Sequence, residues 1–323
     1  MLFLVSDVLR PATMDEAIQA VKSPGQILAV GQMTKSALVS PAAWPAETPT
    51  TRVSLAKLSG IIEYEPSEFT FTAWAGTPIA EVQHELAQRN QYLPFDPLLT
   101  RAGATLGGTV AAGISGPGRV RYGGLRDFLL AVRMISGDGA VISAGGKVVK
   151  NAAGFDIPKL LVGSLGWYGL MTELTFKVFP QTPAMQTYRI ECDSDSEAMD
   201  FVTIAASSRW ELDAIDYRAV DRTLFLRIGG PLSAITEIGH EIDKTLGGAT
   251  LLEAAEATDL WQSIGELDWT GASRTGNSET PDDEATVIAK VPITPNQFLG
   301  LRSRIAKQPG IDVHLSAAGS LLW

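Results

Sequence analysis

The sequence contains very little cysteine and histidine. Cys192 is the single cysteine among 323 residues. This excludes an internal disulfide framework and an iron–sulfur cluster held by this chain alone, because such a cluster takes about four cysteine ligands. The three histidines, His84, His240 and His314, include no pair at i, i+4, so a histidine-rich metal site is not expected. Any redox chemistry of this chain would therefore depend on an organic cofactor.

Long apolar runs and basic clusters are absent as well. No stretch of about 18 apolar residues is free of glycine, proline and charge, which argues against a membrane-spanning helix. The short apolar start lacks a basic region and is interrupted by Asp7, so no secretory signal is expected and the protein is predicted to be cytoplasmic. The formal net charge of −10, without a basic run, argues against nucleic acid as a partner.

Glycine is abundant, and it is concentrated between residues 101 and 180. About half of the 31 glycines lie there. Each glycine within regular structure costs about 0.5–1 kcal/mol relative to alanine, so a cluster indicates positive φ angles or a close approach of the backbone to something else. A large planar ligand with a diphosphate would explain the density, because main-chain N–H groups can reach it unobstructed. Ordinary turns of a sheet-rich domain are the alternative.

A series of motifs runs through this region. They are residues 93–97 (LPFDP), 103–117 (GATLGGTVAAGISGP), 124–128 (GLRDF), 136–139 (SGDG), 150–156 (KNAAGFD), 163–166 (GSLG) and 170–178 (LMTELTFKV). Their order resembles the FAD-binding domain of the vanillyl-alcohol-oxidase type, also called the PCMH type, and more closely the FAD-binding E subunits of bacterial glycolate oxidase. The resemblance covers the first 180 residues well and the rest only in outline.

The resemblance implies an α+β protein. Residues 1–180 would form a two-part PCMH-type FAD-binding domain, and residues 181–323 a smaller α+β cap domain. After residue 180, strand-like segments at 188–191, 223–228, 249–252, 285–291 and 311–315 alternate with helical segments at 196–206, 233–246 and 297–307. Residues 268–284 are polar and are predicted to form a loop.

The resemblance also implies FAD as the cofactor. Residues 31–35 follow a predicted strand at 27–30 and match the turn whose N–H groups hold the FAD diphosphate, although Gln32 and Met33 stand where further glycines are usual. This loop has no histidine or cysteine, to which some relatives attach FAD, so non-covalent FAD is expected. The candidate FAD-binding residues are Gly31, Gln32, Met33, Thr34, Lys35, Gly103, Ala104, Thr105, Gly107, Gly108, Thr109, Gly113, Ser115, Gly116, Arg121, Asn151, Gly154, Asp156, Gly169 and Leu170.

Shorter patterns predict local structure. Residues 13–16 (TMDE) form a capping box in front of an amphipathic helix. In residues 76–78 (GTP), Thr77 is the predicted N-cap of a second helix and Pro78 its first residue. The GDG sequence at 137–139 predicts a hairpin turn. Residues 170–178 alternate as a half-buried strand does.

Two cationic positions are candidates for chemistry. A cation near a flavin can stabilise an anionic ring or hold a carboxylate substrate, and Arg121 and the pair Lys150–Asn151 are placed for this by the resemblance. Solvated surface is the alternative for both. Asp127 and Asp156 are interpreted as structural, with their carboxylates accepting from turn N–H groups.

His314 has two interpretations. Related flavoenzymes that oxidise 2-hydroxy acids carry, late in the cap, a histidine motif with glycine, aspartate and asparagine that helps position the substrate and, in some, a metal. Residues 314–319 (HLSAAG) keep one histidine and one glycine but contain no acidic residue. His314 is therefore interpreted as a strand residue of the cap.

The sequence leaves three functional hypotheses, of which the first two are the stronger. The first is an FAD-dependent oxidoreductase subunit that takes part in oxidising a short 2-hydroxy acid, glycolate or D-lactate. Its partners would be a second FAD-binding subunit and an iron–sulfur subunit, and the complex could associate peripherally with a membrane. The second hypothesis is a structural subunit of the same fold that has lost FAD, supported by Gln32 and Met33. A stand-alone flavin reductase is a third, weakened by the lack of a Gly-x-Gly-x-x-Gly turn for a nicotinamide cofactor.

Overall fold

The structure, a computed structural model, describes residues 8–35, 50–147, 155–270, 287–308 and 310–323. The strands up to residue 180 are β1 (Val8–Leu9), β2 (Gln26–Val30), β3 (Thr50–Ser54), β4 (Ile61–Glu65), β5 (Thr70–Trp74), β6 (Gln91–Tyr92), β7 (Leu129–Ile135), β8 (Val141–Gly145), β9 (Leu170–Lys177) and β10 (Phe179–Pro180). The helices of this part are α1 (Met14–Val21), α2 (Ile79–Ala87), α3 (Leu106–Ala112), α4 (Arg119–Tyr122) and α5 (Ile157–Leu161).

The remaining elements follow residue 180. The strands are β11 (Ala184–Glu191), β12 (Ala214–Arg218), β13 (Thr223–Gly230), β14 (Thr250–Leu251), β15 (Val291–Pro292), β16 (His314–Ser316) and β17 (Leu321–Leu322). The helices are α6 (Asp195–Ser207), α7 (Leu232–Leu246), α8 (Ala254–Glu266) and α9 (Pro295–Ile305). Short 3-10 turns occupy Pro66–Glu68, Leu125–Asp127 and Asp268–Thr270. The rest of the loop predicted at 268–284, from residue 271 on, lies outside the described residues.

A small parallel sheet begins the chain. Strand β3 lies between β1 and β2, and α1 packs on it through buried alanine and valine side chains. The Thr13 hydroxyl accepts a hydrogen bond from Glu16 N at 3.2 Å, which confirms the predicted helix and its cap. The Glu16 carboxylate accepts from Ala12 N at 2.7 Å, one residue before the cap.

An antiparallel sheet of order β4-β5-β9-β7-β8 forms the centre of the first part. The strand predicted at 170–178 is observed as β9 in the middle of it, and the predicted hairpin is β7–β8. The Phe71 and Phe176 rings, from β5 and β9, stack with centroids 5.6 Å apart. Phe95 packs against Phe176 at 6.2 Å, so the 93–97 connector is anchored in this core.

The start of α2 differs from the prediction. The helix begins at Ile79, and Pro78 occupies the N-cap position without a side-chain bond. The Thr77 hydroxyl instead donates to Trp74 O at 2.7 Å and accepts from Gly60 N at 2.9 Å. The prediction of Thr77 as the cap was wrong because the chain turns out of the sheet here, and the hydroxyl satisfies that turn rather than the helix.

The second part is built on an antiparallel sheet of order β14-β11-β13-β12-β16-β17-β15, with α6 and α7 packed against it. Most of the predicted strands and helices of this part are observed, but β12 and α8 were missed. Strand β12 has the sequence AIDYR, and Asp216 interrupts the apolar run that is typical of a central strand. Such a carboxylate is buried only where it has partners, and the sequence next to it does not contain them.

Polar contacts join the two parts. The Glu266 carboxylate, at the end of α8 and only 5% exposed, accepts from Arg101 N at 2.7 Å and Ala102 N at 3.1 Å. Leu99 N donates to Gly265 O at 2.9 Å. The end of α8 is thereby held against the segment that leads into α3.

Candidate functional site

A glycine-lined cleft of about 480 Å³ opens between the small parallel sheet and α3. Its lining comes from the end of β2, the turns after β3 and β5, the first turns of α3, and the segment entering β9. The lining residues are Ala29, Val30, Gly31, Leu55, Ala56, Ala75, Gly76, Thr105, Gly107, Gly108, Ala111, Gly166, Gly169, Leu170 and Met171. We call this the first cleft.

Glycine is required at several points of the first cleft. A Cβ on Gly31 would lie 2.6 Å from the Thr105 hydroxyl oxygen, and a Cβ on Gly107 would lie 3.0 Å from Ala75 O. Gly169 has φ +143° and would place a Cβ 2.6 Å from Ile135 O. Larger residues would therefore fill the cleft or displace its walls. The predicted sites Gly31, Thr105, Gly107, Gly108, Gly169 and Leu170 all line this cleft.

The first turn of α3 offers few free donors. Leu106 N donates to Thr77 O at 2.9 Å, Gly107 N to Ala75 O at 2.8 Å, and Gly108 N to the Thr105 hydroxyl at 3.2 Å. An anionic ligand would therefore depend on other groups. The N–H groups of Gln32, Met33 and Thr34 have no acceptor among the described residues, as expected for a loop that receives a ligand.

Lys35 ends this loop and is buried. Its side chain is 9% exposed, and Nζ lies 3.5 Å from the hydroxyl oxygens of Thr34 and Thr109. Burial lowers the pKa of Lys35 to about 8, and the Glu266 carboxylate acts in the opposite direction. A buried cation whose neighbours at this distance, among the described residues, are hydroxyl groups suits an anionic group of a ligand.

Met33 shows how the loop accommodates a side chain in place of glycine. Its φ is +54°, the left-handed region, which costs a residue with a Cβ roughly 1–2 kcal/mol. We expect Met33→Val to lower the free energy of unfolding by about 1–2 kcal/mol, because a β-branched side chain tolerates this region worst. Met33→Gly should stay within about 0.5 kcal/mol of the parent, since relief of strain is offset by added flexibility of the unfolded chain. Urea unfolding of both variants checks this, and equal stabilities would contradict it.

Other predicted site residues have structural contacts. Gly103, with φ +88°, and Ala104 form the turn before α3, where Ala104 O accepts from Ile79 N at 2.8 Å. Gly113 ends α3 with φ +62°. Asp156 caps α5 by accepting from Lys159 N at 3.2 Å, in line with its structural interpretation, and the hydrogen bond with Lys159 lowers the pKa of Asp156.

Arg121 lies outside the first cleft. Its guanidinium pairs with Asp213 Oδ1 at 2.9 Å and Glu211 Oε2 at 3.1 Å, so it links α4 to the second part of the chain. Asn151 and Gly154, like Lys150, lie outside the described residues.

A smaller cleft of about 220 Å³ lies where the two parts of the chain meet, and we call it the second cleft. It is lined by Leu98, Ser115, Gly116, Pro117, Ile264, Leu267, Trp269, His314, Ser316 and Trp323. The predicted sites Ser115 and Gly116 are therefore here and not in the first cleft. Helix α3 contributes residues to the first cleft and is followed in sequence by Ser115 and Gly116 of the second cleft. With seven residues, the helix is about 10 Å long.

His314 is a strand residue, as predicted, but it has an acidic partner. Its Nε2 lies 2.8 Å from Asp216 Oδ2, and the Ser316 hydroxyl donates to Asp216 Oδ1 at 3.0 Å. The partner was missed because it stands 98 positions earlier, on β12. The only sequence signal is an isolated aspartate between apolar residues, which could have suggested a buried, partnered carboxylate.

The comparison with known families bears on the first cleft. A family model described as FAD binding domain matches residues 6–145. The matched segment contains Gly31, Lys35, Thr105 and Gly107. The prediction of FAD as the cofactor is confirmed. Non-covalent attachment stays a prediction.

Similar proteins include an oxidase subunit and a dehydrogenase. The chain is 35% identical over 210 residues to glycolate oxidase subunit GlcE of Escherichia coli, a match that covers 64% of this chain and 56% of that protein. It is 32% identical over 185 residues to a D-lactate dehydrogenase of Archaeoglobus fulgidus, covering 54% of this chain and 39% of that protein. The matches thus span about half or less of these relatives.

Solved structures support the predicted fold. An alkyldihydroxyacetonephosphate synthase superposes with a TM-score of 0.73 at 16% identity, covering 98% of this chain and 66% of that one. Substrate-bound p-cresol methylhydroxylase superposes with a TM-score of 0.72 at 13% identity, covering 98% and 73%. The prediction of an α+β, PCMH-type FAD-binding domain followed by a smaller α+β part is confirmed.

The described ranges contain neither a candidate membrane span nor a candidate metal cluster. Within them, no helix has the length and apolar character needed to cross a bilayer. In the same ranges, no group of three or more His, Cys, Asp and Glu side chains is arranged to hold a metal ion.

Proposed function

We propose that the chain is an FAD-binding oxidoreductase subunit that takes part in oxidising a short 2-hydroxy acid, glycolate or D-lactate, to the 2-oxo acid. The observation that carries the proposal is the glycine-rich first cleft, most of whose lining lies within residues 6–145, which match an FAD-binding domain. The buried Lys35 ends the loop that begins at Gly31 in this lining. The names of the similar proteins, a glycolate oxidase subunit and a D-lactate dehydrogenase, support the substrate class.

The residues around the first cleft fit FAD. The N–H groups of Gln32, Met33 and Thr34, which have no acceptor among the described residues, and the Lys35 ammonium would hold the diphosphate. Gly31 and Gly107 let the loop and α3 pack closely against Thr105 and Ala75, which a Cβ at either glycine would push away. Ser115 and Gly116, which line the second cleft, are the predicted contacts with FAD outside the first cleft. When bound, FAD supplies a two-electron acceptor, and the protein supplies its orientation and electrostatic surroundings.

Partner subunits are part of the proposal. The single cysteine of this chain cannot hold an iron–sulfur cluster alone, so such a cluster in the proposed complex would lie on another chain. A second FAD-binding subunit and an iron–sulfur subunit are the proposed partners, and the cytoplasm, with peripheral membrane association through the complex, is the proposed location. The similarity to a protein named as a glycolate oxidase subunit supports such an assembly. We also propose residue 180 as the boundary between the FAD-binding domain and the cap.

A structural subunit without FAD is the second candidate function. Met33 occupies a left-handed backbone position where glycine would be unstrained, and the first-turn N–H groups of α3 are satisfied within the protein. Both features would make a diphosphate site here weaker than a site with more glycine residues and more unpaired backbone N–H groups.

Flavin content distinguishes the two functions. The absorption spectrum of the purified chain, before and after acid precipitation, gives FAD per polypeptide and shows whether it is released. Near-stoichiometric, acid-released FAD is expected. A colourless chain that also fails to bind added FAD, alone and with its partner subunits, would favour the structural role.

A further inference from the structure

The second cleft is closed by a short segment from the second part of the chain. Its lining includes Ser115 and Gly116 from the first part and Ile264, Leu267 and Trp269 from the second. Although the cleft measures about 220 Å³ in all, the space that a solvent molecule can occupy holds about one water. A planar ring of FAD therefore cannot lie against Ser115 and Gly116 while this segment is in place.

Residues 265–270, which we call the strap, are held to the first part of the chain by a buried carboxylate. Glu266 is 5% exposed and accepts from Arg101 N at 2.7 Å and from Ala102 N at 3.1 Å. A carboxylate is buried at low cost only where such donors are present. Both donors belong to the first part, so these bonds stabilise the closed position of the strap.

The strap also places its own side chains in the second cleft. The Trp269 indole stacks on the His314 ring with centroids 5.3 Å apart. Leu267 ends α8 in the left-handed region, with φ +54°, which is strained for a residue with a Cβ. Strained backbone of this kind persists where surrounding contacts hold it, and it is concentrated in ligand clamps and switch segments.

The strap can move without disrupting a sheet. It consists of the last residues of α8 and a 3-10 turn. The other residues of the second part that line the cleft are tied into strands: His314 and Ser316 lie in β16, and the main chain of Trp323 exchanges hydrogen bonds of 3.2 and 2.9 Å with His314. Displacing them would break the pairing of β16 with β12 and β17.

We propose that the strap closes the second cleft in the free chain and opens when the flavin ring of FAD binds against Ser115 and Gly116. The inference rests on the proposed function, which includes FAD and its contacts with these two residues. The flavin ring is assigned here in preference to adenine, because the reacting end of the cofactor has to meet a substrate and ligand sites lie preferentially at domain interfaces. Since only the open form admits the ring, the apparent FAD affinity is the intrinsic affinity multiplied by the open fraction.

The substitution Glu266→Gln tests the strap with two ligands. ADP keeps the diphosphate of FAD but lacks the flavin ring, so it needs only the first cleft, whose lining lies entirely before residue 172. Both affinities are measured calorimetrically on the full chain, freed of bound flavin, at pH 7. Glutamine still offers an oxygen to Arg101 N and Ala102 N but without the charge, so the closed form is weakened. The ratio of FAD affinity to ADP affinity should rise about fivefold.

The ratio removes an electrostatic effect of the same substitution. Burial lowers the pKa of Lys35 and the Glu266 carboxylate opposes this, so Glu266→Gln also changes the charge near the diphosphate. This change acts on FAD and ADP alike. Glu253→Gln is the matched control: it is the same substitution at the exposed beginning of α8, where the side chain makes no capping bond, and it should leave the ratio unchanged. Circular dichroism establishes that each variant is folded.

Hydrogen exchange of the parent protein measures the position of the strap directly. In the closed form, the amides of Leu99, Arg101 and Ala102 donate to Gly265 and Glu266. A peptide that covers these three amides should exchange roughly threefold faster or more at saturating FAD than at saturating ADP, because opening removes their acceptors. Equal protection with the two ligands would show that the strap stays closed beside the cofactor and would overturn the inference.

The outcomes separate this inference from the proposed function. If FAD binds but the affinity ratio and the exchange do not respond, the strap is wrong and the FAD-binding function stands. If Glu266→Gln raises ADP affinity more than FAD affinity, adenine occupies the second cleft and the assignment to the flavin ring is overturned. Binding of FAD to Glu266→Gln alone would support the strap. If FAD binds to neither folded protein, the FAD-binding function fails, and the role of the strap fails with it.

Discussion

Replacing Lys35 by methionine is expected to weaken FAD binding by about 10- to 100-fold and to leave riboflavin binding unchanged. Lys35 is buried between the Thr34 and Thr109 hydroxyls, each 3.5 Å from Nζ. Hydrogen bonds to charged groups contribute about 1.5–3 kcal/mol, and 1.4 kcal/mol corresponds to a factor of ten in affinity. Riboflavin lacks the diphosphate, so it does not use the lysine. Titration by flavin fluorescence measures both affinities.

The conservative change Lys35→Arg is the control for charge. It keeps the cation and should recover part of the lost FAD affinity, limited by the larger guanidinium in a buried position. Equal losses for FAD and riboflavin would contradict a diphosphate contact and would indicate that Lys35 only supports the fold.

The same lysine gives FAD binding a defined pH dependence. Burial lowers the pKa of Lys35 to about 8 in the free chain, and a bound diphosphate favours the charged form and raises this pKa. Binding therefore takes up a proton between the two pKa values. FAD affinity should be constant below pH 8 and fall by up to about tenfold per pH unit above it. The Lys35→Met variant should show no such fall between pH 8 and 9.

Neutralising Asp96 is expected to have the largest effect on stability, about 3 kcal/mol for Asp96→Asn. Its carboxylate pairs with the Arg227 guanidinium, whose side chain is only 11% exposed and lies 4.8 Å from the Trp261 ring centroid. Removing one partner of a buried ion pair costs about 3–5 kcal/mol, because the remaining charge loses its nearest counter-charge. The lower figure applies because Asp96 is 27% exposed and because the Asp213 and Asp216 carboxylates also act on the Arg227 guanidinium. Urea unfolding measures the loss.

Two further variants test the cause of this loss. In Asp96→Asn/Arg227→Met the buried charge is gone, so the double variant should be more stable than Asp96→Asn alone. Glu241→Gln removes an exposed partner of Arg209, whose side chain is 86% exposed, and should change stability by less than about 0.5 kcal/mol. A double variant no more stable than Asp96→Asn would show that Asp96 acts through its bond from Gly118 N at 2.8 Å instead.

Six residues that line the first cleft were among the predicted site residues because their signals are local: Gly31, Thr105, Gly107, Gly108, Gly169 and Leu170. A glycine with positive φ, such as Gly169, can be recognised in the sequence, since other residues are strained there. The order of these glycine-rich motifs then identified the fold. Thr77 illustrates the limit: a threonine before a proline resembles a helix cap, but its hydroxyl bonds to Trp74 and Gly60 once the turn between the sheet and α2 has formed.

By itself, the sequence determined the FAD-binding domain, the strand and hairpin at its centre, and the dependence on an organic cofactor, because these follow from residues close together along the chain. Only the tertiary structure decided that Lys35 is buried, that Asp96 pairs with Arg227, and that Asp216 holds His314. The last pair joins positions 98 residues apart, through a sheet in which Arg218 on β12 lies opposite His314 on β16. Such contacts depend on strand order and register, which non-local packing selects.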